Sequence, residues 1–430
     1  MMARRASSTA VTRSQRKHRP DYQIVLYVGL LMLLGLVIMY AIGPQRAEVL
    51  NSAYGTDAYT GTYFVIKQAA SLALAFAAFF ALAFVPLELV KRHAGLAVVA
   101  GLGLSGLLFL FGNVLKVEAI AHCAYGACRW IDLGPLGSFQ PAELLKFGIL
   151  IFGARLLASG IAKGRLNDWQ NTLMPFLVMI GAALLFVIVF QKDLGTGITI
   201  AAIVGSMLMV AGLSTFWMIR LGIGAVILGV LSIVIAPHRI SRVMTFFQSN
   251  EAEMTSELAG ASYHIMHAKI AIGSGGMFGV GIGNSVQATG YLPEAINDSV
   301  FAILGETFGF IGLIGLLLLF TLMLMRILKV SERVSDPWMK LVAAGVFGWV
   351  ASHVILNIAS MIGIFPLTGI TLPLLSFGGT SMMFIAAAMG LVFAISRYTS
   401  HETTTKETAN ANFVRGRGIR RTRDAGRRRR

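Results

Sequence analysis

The chain has 430 residues, of which 56% are hydrophobic and only 13% are charged, and its formal net charge is +16 at pH 7. With a mean hydropathy of +0.73, a chain of this length has too few polar groups to cover a soluble surface, which excludes a soluble globular protein. Apolar stretches of about twenty residues, each long enough to cross about 30 Å of hydrocarbon, recur along it and indicate an all-α polytopic membrane protein.

Length and apolarity predict ten membrane-spanning helices. The predicted spans are residues 23–44, 64–85, 95–112, 141–159, 172–190, 195–213, 216–236, 299–325, 339–363 and 373–396. The first is too long for the apolar part of a signal peptide, and no clear small-residue cleavage site follows it, so it is predicted to stay uncleaved. Residues 23–397 thus form the membrane domain, between a basic tail at 1–22 and a disordered Arg-rich tail at 398–430.

The distribution of basic residues predicts the orientation of the chain, because Lys and Arg accumulate in cytoplasmic loops. If residue 1 is cytoplasmic, most of the 36 Lys and Arg residues lie in cytoplasmic tails, in short cytoplasmic loops or at helix ends. Both termini are then cytoplasmic, and the large loop between spans 7 and 8 lies outside. Anionic lipid head groups explain the Arg-rich tail better than nucleic acid does, so no nucleic-acid partner is expected.

Two outer loops, at 113–140 and 237–298, are much longer than the rest, and long loops in compact proteins are usually functional or disordered. The first contains Cys123 and Cys128, whose separation permits a disulfide. Disulfides persist outside the cell membrane. Two free thiols remain an equal alternative, and a metal site with His122 is a weaker one.

The second outer loop is predicted to hold an amphipathic segment, Tyr263–Ile272, followed by a glycine-rich segment, Gly273–Gly283. The glycines do not follow the G-x-G-x-x-G pattern after a strand. They therefore predict turns and close approach of backbones, not a phosphate-binding loop.

Several charged residues lie within or beside the predicted spans, where ionisable groups are costly and usually paired. Glu143 and Lys146 are three residues apart and share a helix face, so they form either a structural ion pair or part of a functional cavity. Lys192 and Asp193 follow the fifth span, as a helix-end cluster or as part of a polar cavity. Glu306 is rotated by about 80° from Asp298 on a helix, which favours a polar packing role over catalytic partnership.

Glu294 and Asp298 lie four residues apart at the outer mouth of the eighth span. An acid there can meet a lipid-borne substrate whose polar head lies at the bilayer surface. Asp is also a common helix N-cap, which would by itself explain Asp298. The long polar loop that delivers it beside basic residues favours a functional role.

Seven segments along the membrane domain resemble the SEDS family (shape, elongation, division and sporulation), and they occur in the same order as in that family. They are Arg129–Gly134, Phe139–Lys146, Gln191–Thr196, Arg242–Phe247, Ala271–Gly276, Tyr291–Asp298 and Pro366–Ser381. Within the family, residues 284–287 and 368–373 are more similar to the cell-division branch (FtsW) than to the elongation branch (RodA).

Five positions depart from the usual family pattern. The motif Leu-Pro-Glu-x-His-Thr-Asp-Phe has Ile296, Asn297 and Ser299 in place of its His, Thr and Phe, and Lys192 stands where Pro is common. A Glu-Glu pair near the start of the eighth span is reduced to Glu306 and Thr307. The aspartate of the motif is retained as Asp298.

The resemblance implies a peptidoglycan glycosyltransferase that polymerises lipid II at the outer face of the bacterial cytoplasmic membrane, at the division septum. Asp298 would be the general base, supported by Glu294. Polyprenyl diphosphate would be the leaving group, and basic side chains or Mg2+ or Mn2+ would stabilise its charge. The candidate substrate-binding residues are Arg129, Trp130, Gln140, Glu143, Lys146, Lys192, Asp193, Arg239, Arg242 and Ser376.

The resemblance also implies protein partners, namely a class B penicillin-binding protein with transpeptidase activity and other membrane proteins of the divisome. Two other functions remain as alternatives: a lipid II flippase or other transporter, and a non-catalytic division scaffold. The absence of a clear inverted repeat in the sequence, and the gathering of acids at one face, argue against the transporter.

Overall fold

The structure is a computed structural model that describes residues 19–117, 121–124, 127–134, 137–235, 239–240, 243 and 256–399. Most of the two predicted tails lies outside these residues. The helices are α1 (Tyr22–Tyr54), α2 (Tyr63–Phe84), α3 (Leu87–Phe109), α4 (Pro141–Ala162), α5 (Trp169–Phe190), α6 (Leu194–Ala211), α7 (Thr215–Val234), α8 (Ser256–Ser274), α9 (Val300–Arg333), α10 (Pro337–Met361) and α11 (Gly379–Ile395).

Ten of these helices, all except α8, are long and apolar enough to cross a membrane, within the part of the chain that the structure describes. The prediction of an all-α membrane domain with ten spans is therefore confirmed. α8 coincides with the segment predicted to be amphipathic, and it precedes α9 in the second long loop.

Four predicted ends are wrong by six residues or more. α3 begins at Leu87 and not at residue 95, and α9 ends at Arg333 and not at residue 325. The tenth span begins at Gly379 and not at residue 373, because residues 373–378 are non-helical and Leu374 has a φ of +63°. The first helix continues through Pro44 to Tyr54, ten residues beyond its predicted end at 44, and Gly55 ends it with a φ of +62°. Hydropathy follows apolar composition, so it includes apolar turns and omits polar helix ends.

The centre of the bundle consists of α4, α10 and α11. In their most apolar windows 67%, 67% and 78% of the residues are buried, against 22% in α2, which places α2 at the periphery. α2 packs on α11, α3 on α4, and both α6 and α9 on α10. Small residues allow some of these close approaches, as expected where helices associate in lipid: a Cβ at Gly148 would meet the backbone of Ala97 and Val98.

α7 differs from the other spans because none of its residues is buried against the described part of the chain. The start of α7, which is cytoplasmic in the predicted orientation, contacts the α4–α5 connection and the start of α5. Trp217 stacks on Trp169 with ring centroids 5.4 Å apart, and the Ser214 amide donates to Asn167 Oδ1 at 3.0 Å.

The first long loop forms a small antiparallel sheet of β1 (Ala121–Ala124), β2 (Ala127–Asp132) and β3 (Ser138–Phe139), in the order β1-β2-β3. Cys123 and Cys128 are opposite each other across β1 and β2 and form a disulfide. Of the three alternatives that the sequence left open, the disulfide is therefore the one that the structure supports.

The glycine-rich segment pairs with α9 where that helix is broken. Gly309 has φ +67° and ψ −167°, which interrupts the helix. On either side of the break, the Val280 amide donates to the Glu306 carbonyl at 2.9 Å and the Phe310 amide donates to the Gly276 carbonyl at 2.9 Å. The predicted close approach of backbones is confirmed, because a Cβ at Gly275 would overlap the Gly305 carbonyl oxygen.

We expect Gly275→Ala to lower the free energy of unfolding by about 1–3 kcal/mol, since backbones must move apart to accept the new methyl group. Gly273→Ala is the matched control: it lies two residues earlier, and a Cβ there would meet nothing within 4 Å. Thermal unfolding in detergent measures both variants. Equal melting temperatures for the two would contradict the close approach.

The orientation can be tested with single cysteines at exposed loop positions. Asp57→Cys, between α1 and α2, should react with a membrane-impermeant maleimide in intact cells, and Lys163→Cys, after α4, should react only after permeabilisation. The disulfide-bonded Cys123 and Cys128 do not compete for the reagent. The reverse labelling pattern would overturn the predicted orientation.

Candidate active site

The candidate carboxylates lie in a turn, residues 291–299, that leads into α9. Glu294 is exposed and has a φ of +50°. Its carbonyl accepts from the amides of Asn297 (2.9 Å) and Ser299 (3.2 Å), and its carboxylate accepts from the Asn297 side chain. Glu294 therefore shapes the turn, whereas Asp298 is buried, with 9% of its surface exposed.

The N-cap interpretation of Asp298 is wrong. Ser299 occupies the N-cap position of α9, so Asp298 lies one residue outside the helix. A helix-capping role therefore does not account for this aspartate.

The turn is joined to the non-helical segment 362–378, between α10 and α11. The Phe377 amide donates to the Ile296 carbonyl at 2.9 Å. The Asn357 side-chain amide, from α10, lies 2.7 Å from both the Asp298 and the Ile370 carbonyl oxygens. A Cβ at Gly369 would lie 4.0 Å from Asp298 Oδ2, so the carboxylate adjoins this segment.

α8 contributes two histidines to the same region. His264 Nε2 lies 2.6 Å from Ser299 Oγ, which itself donates to the Pro293 carbonyl at 2.8 Å, so His264 is the donor. His267 Nδ1 donates to Gln287 Oε1 at 2.7 Å. Ser299, one of the departures from the family pattern, thus has its own partners. Sequence reasoning missed both histidines, although their spacing of three residues on an amphipathic segment was a usable signal.

The intramembrane ion pair predicted from α4 is present. Lys146 Nζ lies 2.8 Å from Glu143 Oε1, and both side chains are almost fully buried. The same ammonium is 5.0 Å from the ring centre of Trp349 and 3.4 Å from His353 Nε2. These contacts compensate the charge of Lys146 inside the bundle. They confirm the structural interpretation, whereas a substrate contact stays a prediction.

Asp193 is the N-cap of α6. Its carboxylate accepts from the Thr196 amide and hydroxyl, both at 2.9 Å, and Gln140 Nε2 lies 3.5 Å from it. Asp193 therefore caps the helix that follows the fifth span, and its part in an ion cluster or a polar cavity stays a prediction. The preceding residue, Lys192, has a φ of +52° and an exposed side chain.

Two of the basic substrate-binding candidates, Arg129 and Arg239, bind backbone carbonyls. Arg129 donates to the carbonyls of Gln191 (3.2 Å) and Lys192 (2.9 Å), which fixes the β2 strand to the α5–α6 turn. Arg239 donates to the carbonyls of Ser232 (2.9 Å) and Ile188 (2.6 Å). Arg242 lies outside the described residues. A role for these side chains toward diphosphate stays a prediction.

Two further candidates, Trp130 and Ser376, and the packing residue Glu306 lie in structural surroundings of their own. Trp130 is half-buried in β2, beside Arg129. Ser376 is buried, and its hydroxyl accepts from the Leu372 amide at 2.9 Å, which closes a turn in segment 362–378. Glu306 is buried and accepts from the Ser285 hydroxyl and from the amides of Val286 and Gln287. Glu306 thus anchors the loop before the turn, in keeping with its predicted polar packing role.

Within the described ranges, no three His, Cys, Asp or Glu side chains are grouped so that they could hold a metal ion. One or two carboxylates suffice for Mg2+ that is bound together with phosphate oxygens. Asp298 and Glu294 supply donors of that kind, and the divalent cation stays a prediction.

We expect Lys146→Met to lower the free energy of unfolding by about 3–5 kcal/mol, because it leaves Glu143 as an uncompensated buried charge. The double variant Glu143→Gln/Lys146→Met removes both charges at similar volume and should be far less destabilised. Unfolding in detergent measures the difference. If the single variant is as stable as the double variant, Glu143 and Lys146 do not neutralise each other's charge inside the bundle.

Known proteins resemble the chain over almost its whole membrane domain. The model of the cell cycle protein family of FtsW, RodA and SpoVE matches residues 22–401. The chain is 33% identical over 379 residues to the probable peptidoglycan glycosyltransferase FtsW of Nitrosomonas europaea, covering 87% of this chain and 92% of that one. It is 30% identical over 386 residues to stage V sporulation protein E of Bacillus subtilis, covering 90% and 99%.

Solved structures resemble the fold. A chain from a peptidoglycan synthase complex that coordinates polymerization and crosslinking has a TM-score of 0.65 and 25% identity, covering 88% of this chain and 98% of that one. The rod shape determining protein RodA of Thermus thermophilus has a TM-score of 0.61 and 24% identity, covering 89% and 98%, and supports the fold alone. Because the family model spans all ten membrane helices, the chain belongs to the FtsW, RodA and SpoVE family of cell cycle proteins.

Proposed function

We propose that the chain is a peptidoglycan glycosyltransferase that polymerises lipid II at the outer face of the cytoplasmic membrane during cell division. The observation that carries the proposal is the buried carboxylate of Asp298, which lies at one end of a membrane-spanning helix and is held between α9, α10 and segment 362–378. The FtsW relatives, named as probable peptidoglycan glycosyltransferases, support the reaction class.

Asp298 acts as the general base in this proposal. The acceptor sugar hydroxyl loses its proton to the carboxylate while its oxygen forms a bond to the anomeric carbon of the donor. The bond from that carbon to the diphosphate oxygen breaks, and its electron pair leaves with polyprenyl diphosphate. Glu294 supports the base, because its main chain and side chain define the turn that carries Asp298.

The leaving diphosphate gains negative charge, which positive groups at the outer surface would stabilise. Lys192 has an exposed side chain, and its main-chain carbonyl accepts from the Arg129 guanidinium, so Arg129 lies beside the main chain of Lys192. Mg2+ or Mn2+ held by Glu294 and the diphosphate would supply further neutralisation. The prenyl tails would lie along the lipid-facing surface of the helices.

In this proposal the chain works with a penicillin-binding transpeptidase as its partner, and it acts at the division septum. A structural relative is part of a peptidoglycan synthase complex, which supports a partner that crosslinks the new strands. The resemblance of residues 284–287 and 368–373 to the division branch supports the septum.

We expect Asp298→Ala and Asp298→Asn to lower the rate of lipid II polymerisation by at least about 100-fold, the scale of a lost general base. The assay uses purified chain in liposomes, with and without a penicillin-binding partner, and separates glycan products on gels. Asp57→Asn is the matched control, because it removes an exposed carboxylate from another interhelical loop.

Wild-type polymerisation with unchanged activity of Asp298→Ala would exclude Asp298 as the base. Translocation of lipid II by vesicles that make no glycan would favour the transporter alternative. If the chain neither polymerises nor translocates lipid II but still recruits division proteins normally, the scaffold alternative is favoured.

A further inference from the structure

α10 presents two polar side chains, four residues apart, to segment 362–378. His353 Nδ1 lies 3.1 Å from the Thr371 carbonyl, and Asn357 Nδ2 lies 2.7 Å from the Ile370 carbonyl. Residues at i and i+4 share one face of a helix, so the two side chains bind consecutive peptide groups. This backbone is non-helical and cannot satisfy its own carbonyls by helical hydrogen bonds.

Asn357 also reaches the candidate active site. The same Nδ2 atom lies 2.7 Å from the carbonyl oxygen of Asp298, so one amide group joins α10, segment 362–378 and the turn before α9. Asn357 is 1% exposed, which shields both hydrogen bonds from water. The position of the Asp298 main chain therefore depends on a side chain 59 residues further along the sequence.

His353 connects the same segment to the buried ion pair. Lys146 as an ammonium group can only donate, so His353 Nε2, 3.4 Å away, accepts. The other ring nitrogen, Nδ1, then carries the proton that it donates to the Thr371 carbonyl. The Glu143–Lys146 pair thereby selects the tautomer of His353 that holds segment 362–378.

We propose that Asn357 and His353 are positioning residues for Asp298, and that the Glu143–Lys146 pair acts on the reaction through His353. The inference rests on the proposed function of Asp298 as the base. It assigns the ion pair a role that needs no contact with substrate.

The activity test compares Asn357→Leu, which has similar volume and no donor, with Asn357→Gln, which retains the donor. We expect Asn357→Leu to lower kcat for lipid II by about 100-fold, the effect of misplacing a catalytic group by about 1 Å. KM should change by less than about twofold, and Asn357→Gln should recover part of the rate. His353→Phe should act in the same direction as Asn357→Leu, with a smaller loss.

The matched control is Ser360→Ala. Ser360 is equally buried on α10, and its hydroxyl donates to the Pro366 carbonyl at 3.0 Å, in the same segment but away from Asp298. It should retain kcat within about twofold. An equal loss of kcat in this control, or a loss in Asn357→Leu that lies entirely in KM, would overturn the positioning role.

Hydrogen–deuterium exchange tests the positioning without relying on activity. In detergent-solubilised protein that melts cooperatively, Asn357→Leu should speed amide exchange in residues 294–303 by about tenfold or more, and Ser360→Ala should not. Unchanged exchange in that segment would overturn the inference even if the wild type polymerises lipid II. Faster exchange in Asn357→Leu, found together with a wild type that makes no glycan, would leave the positioning intact and refute the proposed function.

Discussion

Peptide groups that leave a helix inside a membrane protein need hydrogen-bond partners from the protein itself, and this constraint organises the end of the bundle that carries Asp298. Two stretches carry such backbone: the glycine-rich segment beside the break in α9, and segment 362–378 between α10 and α11. The first is satisfied by the backbone around Gly309, and the carboxylate of Glu306 binds the amides of Val286 and Gln287, which follow the segment. The second is satisfied by polar side chains of α10.

The same constraint separates the polar residues by role. Arg129, Glu306 and Asn357 all bind main-chain groups, although each has the chemistry of an active-site residue. Asp298 is anchored through its main-chain carbonyl, and its carboxylate adjoins Gly369. An active site assembled from helix ends and turns is rigid only if such anchors hold it.

Local signals in the sequence predicted local features. Apolar runs predicted the ten membrane helices, and the spacing of three residues between Glu143 and Lys146 predicted their ion pair. The start of α11 could not be found in this way, because residues 373–378 are as apolar as the membrane-spanning helix that follows them. Asn357 and His353 were missed because their partners are distant in sequence. The residues next to a polar side chain in a predicted span do not show which distant groups it binds.

α7 has a consequence for how this sequence can change over time. No residue of this helix is buried against the described part of the chain, so its side chains need only to be apolar. Its place is set near its ends, by Trp217 on Trp169 and by the Ser232 carbonyl that binds Arg239. Neutral drift among aliphatic residues should therefore be fastest along the middle of α7, and the same stretch is a suitable place to attach a spectroscopic probe.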